Sequence, residues 1–145
     1  MEKDFSKTWK NIFLVQYDVW VQMVNHCLRE FPYEACGLLS GKNCKSYTVW
    51  MMENIRRTPV SFEMDTEQIQ HVFQLIKNKG EDLIGIYHSH PTAPPFPSAN
   101  DIDHAPDPEL AYIIVSLAKR IPEIGCFRIQ NRQVIPLVFK LFQDH

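Results

Sequence analysis

The chain has 145 residues, 45% of them hydrophobic, which is enough to build the core of one compact domain. A formal net charge of −2 gives no electrostatic case for nucleic acid as a partner. The N-terminal apolar stretch is too short for a signal peptide or a membrane span, which predicts a cytoplasmic protein with no membrane partner. We expect a single domain over residues 1–145, with residues 1–10 as a loosely ordered extension.

Four cysteines are spread along the chain, and no pair has the CxxC spacing of a zinc knuckle or a redox motif. They are Cys27, Cys36, Cys44 and Cys126. In a reducing cytosol such cysteines are free thiols that mostly fill the core. We therefore predict no disulfide and no cysteine-bound metal.

The first predicted elements are a strand over residues 11–16 and a helix over residues 18–30, with Asp18 as the N-cap of the helix. Apolar side chains in the helix recur at i, i+3, i+4, i+7 and i+8, which makes one apolar stripe. The stripe consists of Trp20, Met23, Val24, Cys27 and Leu28. His26 is expected on the exposed side, and Pro32 ends the helix.

Two strands and a second helix are predicted next. The strands cover residues 35–40 and 46–52, with a turn at residues 41–43 between them. The helix covers residues 66–79, and His71 is expected on its exposed side. Its capping residues are Asp65 and Gln68 at the start and Gly80 at the end. Its buried stripe consists of Ile69, Val72, Phe73 and Ile76.

The second half of the chain begins with an apolar strand at residues 83–87, short and buried on both faces. A proline-rich loop at residues 91–97 follows, and a short helix starts at Ser98. The remaining predicted strands are 111–117, 125–130 and 133–142. The order of elements predicts a mixed α/β fold with a central sheet flanked by helices.

Two histidines follow directly on the buried strand. Residues two apart in a strand point to the same face, so His88 and His90 project together from the strand's end. Ligand sites in open α/β sheets tend to lie at such carboxyl ends. Two imidazoles in this arrangement suit zinc, which takes nitrogen ligands at about 2.0–2.1 Å.

Asp101 is the best third ligand, because it lies in the first turn of the next short helix. The four prolines of the intervening loop restrict the chain and lower the entropic cost of returning to the metal. Three protein ligands and a water are typical of catalytic zinc. Ser98 and Asp101 also fit a structural capping box, and the two roles are compatible. Asp103 points away from Asp101 on a helix, whereas His104 could reach the same face as a minor candidate ligand.

The residues resemble a known family at this point. The spacing H-x-H, seven residues, S-x-x-D is the JAMM signature of MPN-domain metallopeptidases, and His88, His90, Ser98 and Asp101 match it. A second family motif, a glutamate followed by a small residue, cysteine and glycine, is present in PYEACGLLSG at residues 32–41. The resemblance extends from about residue 12 to about residue 142.

The resemblance implies an MPN-domain fold with a cytidine-deaminase-like architecture. It also implies one zinc ion per chain, bound by His88, His90 and Asp101 together with a water. Glu34 would take a proton from that water and pass it to the leaving amine, and Ser98 would hydrogen-bond the developing oxyanion. Without the resemblance, Glu34 would be interpreted as a solvated residue after a helix.

The resemblance is greatest to the stand-alone prokaryotic members, because the segments with which longer relatives grip ubiquitin are absent from the sequence. These members act on small β-grasp sulfur-carrier or ubiquitin-like proteins. The implied activity is hydrolysis of a peptide or isopeptide bond after a C-terminal Gly-Gly tail. The alternative is a non-catalytic MPN scaffold, which is disfavoured because every motif position is filled.

Overall fold

The computed structural model describes residues 11–144 and has the mixed α/β fold that the sequence predicts. The helices are α1 (Tyr17–Glu30), α2 (Thr66–Asn78) and α3 (Ala99–Asp103). The strands are β1 (Ile12–Gln16), β2 (Cys36–Lys42), β3 (Lys45–Met52), β4 (Asp82–His90), β5 (Ala111–Ser116), β6 (Glu123–Gln130), β7 (Gln133–Pro136) and β8 (Val138–Phe142). No helix in this part of the chain is long and apolar enough to cross a membrane. The predicted extension at residues 1–10 lies outside the described residues.

The strands form one sheet in the order β7-β6-β5-β4-β2-β3-β1-β8. β4 pairs in parallel with β5, β1 pairs in parallel with β3 and β8, and the other neighbours are antiparallel. β7 and β8 form opposite edges of the sheet although only Leu137 separates them in the chain. The sheet must therefore curl until its two edges approach each other.

Hydrogen bonds on either side of Leu137 show how the edges meet. Leu137 donates its N–H to the carbonyl of Cys126 in β6, and Val138 donates its N–H to the carbonyl of Asn11. The prediction of one strand over residues 133–142 is wrong for this reason. Pro136 has no N–H to continue the ladder with β6, so the chain crosses to β1 at this point.

The two faces of the sheet are covered by different helices. One face packs against α1 in a cluster that includes Phe13, Met23 and Tyr87. The other face packs against α2 in a cluster that includes Val72 and Ile86. Each fully buried large apolar side chain stabilises the fold by about 1.5–3 kcal/mol. Packing on both faces fixes the central strands, and with them the residues at the ends of these strands.

The start and the buried face of α1 differ from the prediction. The N-cap is Gln16, whose side chain makes no capping hydrogen bond, and Asp18 lies in the first turn, where its charge favours the helix dipole. The buried face consists of Val19, Met23, His26 and Cys27. Leu28, predicted in the buried stripe, is 52% exposed. His26, predicted on the exposed side, is only 5% exposed, because its ring hydrogen-bonds the hydroxyl of Tyr87 across 2.7 Å.

The predicted caps of α2 are present at both ends, but the capping box is only half formed, because the Gln68 side chain accepts from the N–H of Glu53. The Asp65 side chain accepts a hydrogen bond from the N–H of Gln68, and Gly80 follows the helix with φ +74°. Val72 and Ile76 are buried as expected, but Phe73 is 46% exposed. The apolar side of this helix is therefore narrower than the sequence indicates.

The β2–β3 hairpin is tighter than predicted. Its strands continue to Lys42 and from Lys45, so that the turn is at residues 43–44, where Asn43 has φ 58°. A bulge between Ser40 and Gly41 precedes the turn. Turn positions with positive φ favour asparagine and glycine. The predicted turn, which begins at Gly41, therefore starts two residues before the observed one, which begins at Asn43.

The prediction of free cysteines is confirmed. All four are buried and none forms a disulfide. Burial raises the pKa of the Cys36 thiol to about 12, so this thiol is not a nucleophile although it is close to Glu34 in sequence.

Candidate metal centre

The candidate centre lies at the carboxyl end of β4, which extends to His90 instead of ending at residue 87. His88 and His90 are both buried on the face that carries α2 and α3. β4 is paired here on both sides, with Cys36 of β2 opposite His88 and Ser116 of β5 beside His90. The backbone of Leu117 also donates to the carbonyl of His90. Neighbours on both sides thus fix the direction of the two rings.

The proline-rich loop after β4 is attached to the sheet rather than extended into solvent. The hydroxyl of Ser116 donates to the carbonyl of Ala93 across 2.6 Å. Gly125 of β6 permits a close approach, since a Cβ there would lie 2.1 Å from the carbonyl oxygen of Pro95. The ring of Phe96 packs edge-on against Phe127. The loop therefore returns α3 to the histidines along a defined path.

A capping box at the start of α3 orients Asp101. The N–H of Asp101 donates to Ser98 Oγ across 3.0 Å, and the N–H of Ser98 donates to Asp101 Oδ2 across 2.9 Å. The predicted structural role of Ser98 is therefore present. Its hydroxyl hydrogen is a separate donor on an exposed side chain, so the capping contact leaves it available for another partner.

Three candidate ligand atoms meet in a small triangle. His88 Nε2 and His90 Nε2 are 3.2 Å apart, and Asp101 Oδ2 lies 3.2 Å from the first and 3.1 Å from the second. Two ligands on a tetrahedral zinc, each at about 2.0–2.1 Å, are about 3.3 Å apart. The triangle therefore has nearly the dimensions of three corners of a tetrahedral zinc site.

Hydrogen bonding supports a cation at this centre. His90 Nδ1 lies 2.8 Å from the carbonyl oxygen of Pro94, so Nδ1 must carry a hydrogen. In neutral His90 the lone pair of Nε2 then faces Oδ2 of Asp101, which is also electron-rich. Either a second proton on His90 or a metal ion at the centre resolves this repulsion.

The pKa values of Asp101, His90 and His88 are shifted by burial and by the hydrogen bonds among these side chains. Burial alone would raise the pKa of Asp101, but hydrogen bonds with His88 and His90 outweigh it and lower that pKa. Burial opposes a charge on His90, yet its contacts with Asp101 and the Pro94 carbonyl raise its pKa. Burial lowers the pKa of His88. The centre thus combines an ionised carboxylate with at least one neutral imidazole, the forms that bind metal.

Glu34 is buried before β2 rather than solvated after α1, with only 3% of its surface exposed. Its backbone N–H donates to the carbonyl of Thr58, and its carbonyl accepts from the side chain of Asn54. The next peptide is held by β4, because the N–H of Ala35 donates to Ser89 Oγ across 2.8 Å. Glu34 is thereby fixed to the strand that carries both histidines.

One oxygen of the Glu34 carboxylate lacks a hydrogen-bond partner among the described residues. This atom, Oε1, is buried. Burial raises the pKa of Glu34 to about 8, with the charge of His90 opposing and that of Asp101 adding to the shift. A buried oxygen without a partner is rare in folded proteins and fits a position that a metal-bound water would fill. The residues present therefore fit the implied metal and its water.

A groove of about 390 Å³ opens beside the ligand triangle, and His88 and Asp101 form part of its wall. The ring of Phe62 packs against the ring of His88, with centroids 4.8 Å apart. The remaining wall is mostly apolar and includes Met64, Ile69, Ile86 and Tyr112. The volume of this groove lies within the range of protein ligand-binding sites.

The structure separates the minor candidates from the centre. His104 is exposed, and its Nδ1 lies 2.9 Å from the carbonyl oxygen of Asn100, outside the ligand triangle. Asp103 forms an ion pair with Arg132 at the surface. The prediction that Asp103 points away from Asp101 agrees with this arrangement.

Sequence reasoning overlooked two residues that shape the centre, Ser89 and Phe62. Ser89 lies between the histidines, so its side chain points to the opposite face, and a completely buried serine requires a partner. That alternation could have indicated its contact with Ala35. Phe62 gave no local signal, because its contact with His88 depends on how the connection between β3 and α2 folds.

Comparison with known proteins identifies relatives. Residues 17–130 match the family described as prokaryotic homologs of the JAB domain. A desampylase from Haloferax volcanii is 36% identical over 88 residues, 59% of this chain and 63% of the relative. A CysO-cysteine peptidase from Mycobacterium tuberculosis is 30% identical over 107 residues, 72% of this chain and 73% of the relative. A probable TtuB-protein conjugate cleaving protease from Thermus thermophilus is 33% identical over 81 residues, 55% of this chain and 54% of the relative.

Solved structures show the same fold. The solution structure of protein DSY2949 from Desulfitobacterium hafniense superimposes with a TM-score of 0.83 at 30% identity, covering 92% of this chain and 94% of that one. A protein from Salinibacter ruber superimposes with a TM-score of 0.63 at 26% identity, covering 88% and 91%. The family match covers most of the chain and includes the two histidines and Asp101. The chain therefore belongs to the prokaryotic homologues of the JAB domain, the stand-alone prokaryotic branch of the JAMM/MPN family.

Proposed function

We propose that this protein is a zinc-dependent peptidase or isopeptidase. It hydrolyses the bond that follows the C-terminal Gly-Gly tail of a small ubiquitin-like or sulfur-carrier protein. The observation that carries the proposal is the triangle of His88, His90 and Asp101, together with the buried, unpartnered oxygen of Glu34. This set supplies three metal ligands and one group that can accept a proton, as hydrolysis by an activated water requires.

Zinc is the ion that we propose for the site. Two histidines and one carboxylate also bind iron(II) in oxygenases, so ligand identity alone does not select the metal. The dimensions of the triangle favour tetrahedral ligation, and hydrolysis requires no redox change. When bound, zinc lowers the pKa of its water to about 7 and polarises the substrate carbonyl.

Glu34 transfers the proton and Ser98 supplies a hydrogen bond to the substrate. The Glu34 carboxylate accepts a proton from the attacking water and delivers it to the nitrogen of the leaving amine. Burial raises its pKa to about 8 in the metal-free protein, and a bound cation would lower this pKa toward the pH at which Glu34 must both accept and donate. The Ser98 hydroxyl donates a hydrogen bond to the oxygen that becomes negative in the transition state. Such a donor is worth about 3–4 kcal/mol.

The proposed substrate class is based on the relatives, which are a desampylase, a CysO-cysteine peptidase and a probable TtuB-protein conjugate cleaving protease. The matched segments span about half to three quarters of those relatives, so the substrate is a proposal for this chain. The open groove beside the ligand triangle supports it, because an extended tail could lie there with its last carbonyl near the centre. Four free, buried thiols fit a reducing cytoplasm as the site of action.

The decisive experiment presents the purified protein with candidate carriers that extend beyond Gly-Gly by a peptide or an isopeptide-linked lysine. Mass spectrometry locates the cut, and a parallel reaction contains a chelator. We expect cleavage after the second glycine, abolished by chelation and restored by zinc. If no Gly-Gly tail is cut under any condition, the proposed substrate class is wrong.

Metal analysis tests the centre separately. We expect about one zinc per chain in the wild type, loss of zinc in His88→Ala, and retention of zinc with loss of hydrolysis in Glu34→Gln. A wild-type protein that purifies without stoichiometric zinc and does not bind it would support the non-catalytic scaffold instead. Full activity in Glu34→Gln would show that this residue is not the base.

A further inference from the structure

The connection between β3 and α2, residues 53–64, is organised by one buried amide. Asn54 is 6% exposed. Its Nδ2 donates to the carbonyl of Glu34 across 3.0 Å and to the carbonyl of Ser61 across 3.1 Å. Its Oδ1 accepts from the N–H groups of Arg56 and Glu63 across 3.0 and 3.1 Å. The two hydrogens and the two lone pairs of the amide are thus all engaged.

The same connection holds the peptide units on both sides of Glu34. The N–H of Glu34 donates to the carbonyl of Thr58 across 2.9 Å, and the carbonyl of Glu34 accepts from Asn54. The following N–H, that of Ala35, is held instead by Ser89 of β4. The position of Glu34 relative to the histidines therefore depends on contacts from two directions, the connection 53–64 and β4.

The other side of the connection forms part of the groove wall. Arg56, Phe62 and Met64 all line the groove, and Phe62 packs against His88. Asn54 thus joins the wall of the groove to the backbone of Glu34 through one side chain. No other polar side chain that we observe within the described residues contacts the backbone carbonyl of Glu34.

We propose that Asn54 is a positioning residue that holds Glu34 at the distance from the ligand triangle which proton transfer requires. The inference rests on the proposed function, since it takes Glu34 as the general base. Proton transfer needs hydrogen-bond geometry, and a displacement of about 1 Å can cost about 100-fold in rate. Asn54 acts through Glu34, and it is neither among the residues that line the groove nor part of the ligand triangle.

Asn54→Asp separates the two halves of the amide. The carboxylate keeps both acceptor contacts, with Arg56 and Glu63, and loses both donor contacts, with Glu34 and Ser61. We expect kcat to fall by about 10–100-fold, with KM within about twofold and zinc content unchanged. Asn54→Ala is the second variant, and circular dichroism and metal analysis establish the folded, loaded fraction of each.

Ser46→Ala is the matched control for loss of a buried hydrogen bond. Ser46 is completely buried in β3, far along the strand from the centre, and its hydroxyl contacts the carbonyls of Ser40 and Thr48. We expect this variant to lose stability while its kcat per folded molecule stays unchanged. A loss of activity in the Asn54 variants no larger than that of Ser46→Ala would overturn the inference.

Amide hydrogen exchange measured by NMR supplies a readout independent of activity. We expect the Glu34 N–H to exchange at least about 10-fold faster in the Asn54 variants, while the Ala35 N–H keeps its protection through Ser89. Unchanged exchange at Glu34 would overturn the inference even if activity fell. If the wild type cleaves no carrier, the proposed function fails, and the exchange experiment still decides whether Asn54 fixes Glu34.

Discussion

The buried carboxylate of Glu34 predicts a conflict between stability and catalysis. Burial raises its pKa from 4.5 to about 8 in the metal-free protein. An acid with a raised folded-state pKa costs nothing while it is protonated in both states. As pH rises above 4.5, the unfolded chain loses its proton more readily than the folded chain, and stability falls until about pH 8. Glutamine at the same position carries no such penalty.

The size of the effect follows from linkage. Each pH unit above 4.5 costs about 1.4 kcal/mol, which gives about 3 kcal/mol at pH 7. Relaxation of the site and water penetration around the ionised carboxylate reduce this to about 2 kcal/mol. Metal-free Glu34→Gln should therefore be more stable than the metal-free wild type by about 2 kcal/mol at pH 7, or by about 4–8 °C in Tm. The difference should vanish near pH 4.5.

Urea unfolding of the chelated proteins, followed by tryptophan fluorescence at several pH values, measures this difference. Glu53→Gln, which removes an exposed carboxylate nearby, is the matched control and should leave stability unchanged within about 0.5 kcal/mol. Zinc should reduce the difference, because a nearby cation favours the ionised carboxylate. With zinc, Glu34→Gln should lower kcat by about 10²–10⁴-fold. Equal stabilities of metal-free wild type and variant at pH 7 would refute the reasoning.

Three further outcomes are expected. Gly37→Ala should destabilise the fold by about 3 kcal/mol in urea unfolding, because a Cβ would lie 2.2 Å from the ring of Tyr87, whereas Gly85→Ala, with its nearest contact at 3.2 Å, should cost clearly less; equal costs would contradict the packing argument. Tyr87→Phe should cost about 1–3 kcal/mol by leaving the buried ring of His26 without its partner, and an unchanged urea midpoint would show that this contact contributes nothing. Chelation should lower the Tm of the wild type, and zinc should restore it in proportion to RT ln(1 + [Zn]/Kd); a Tm independent of zinc would exclude a site formed only in the folded state.

The ligand triangle could be predicted from sequence because its geometry is local. Alternation along a strand places His88 and His90 on one face, and the first turn of a short helix presents Asp101. The proline-rich loop sets the distance between them, and all these signals lie within residues 88–101. Local periodicity is the part of structure that a single sequence shows most directly.

The position of Glu34 could not be derived in this way. It depends on the antiparallel pairing of β2 with β4, which sets Cys36 opposite His88, and on a hydrogen bond from Ala35 to Ser89. Such pairings join residues more than 50 positions apart, and only the family resemblance indicated a role for Glu34 at the centre. The burial of His26 escaped prediction for the same reason, because its partner Tyr87 lies 61 positions away.

The pairing of Cys36 with His88 gives the molecule an internal reporter. The Cys36 thiol is completely buried in the cluster on the α2 side of the sheet and is held protonated, so a thiol reagent can modify it only when the packing around it opens. Because His88 lies opposite Cys36 in the pairing of β2 with β4, the labelling rate of this thiol measures how often the structure beside one imidazole opens. Metal ions that bind the imidazoles should slow the labelling, which makes their occupancy measurable without any substrate.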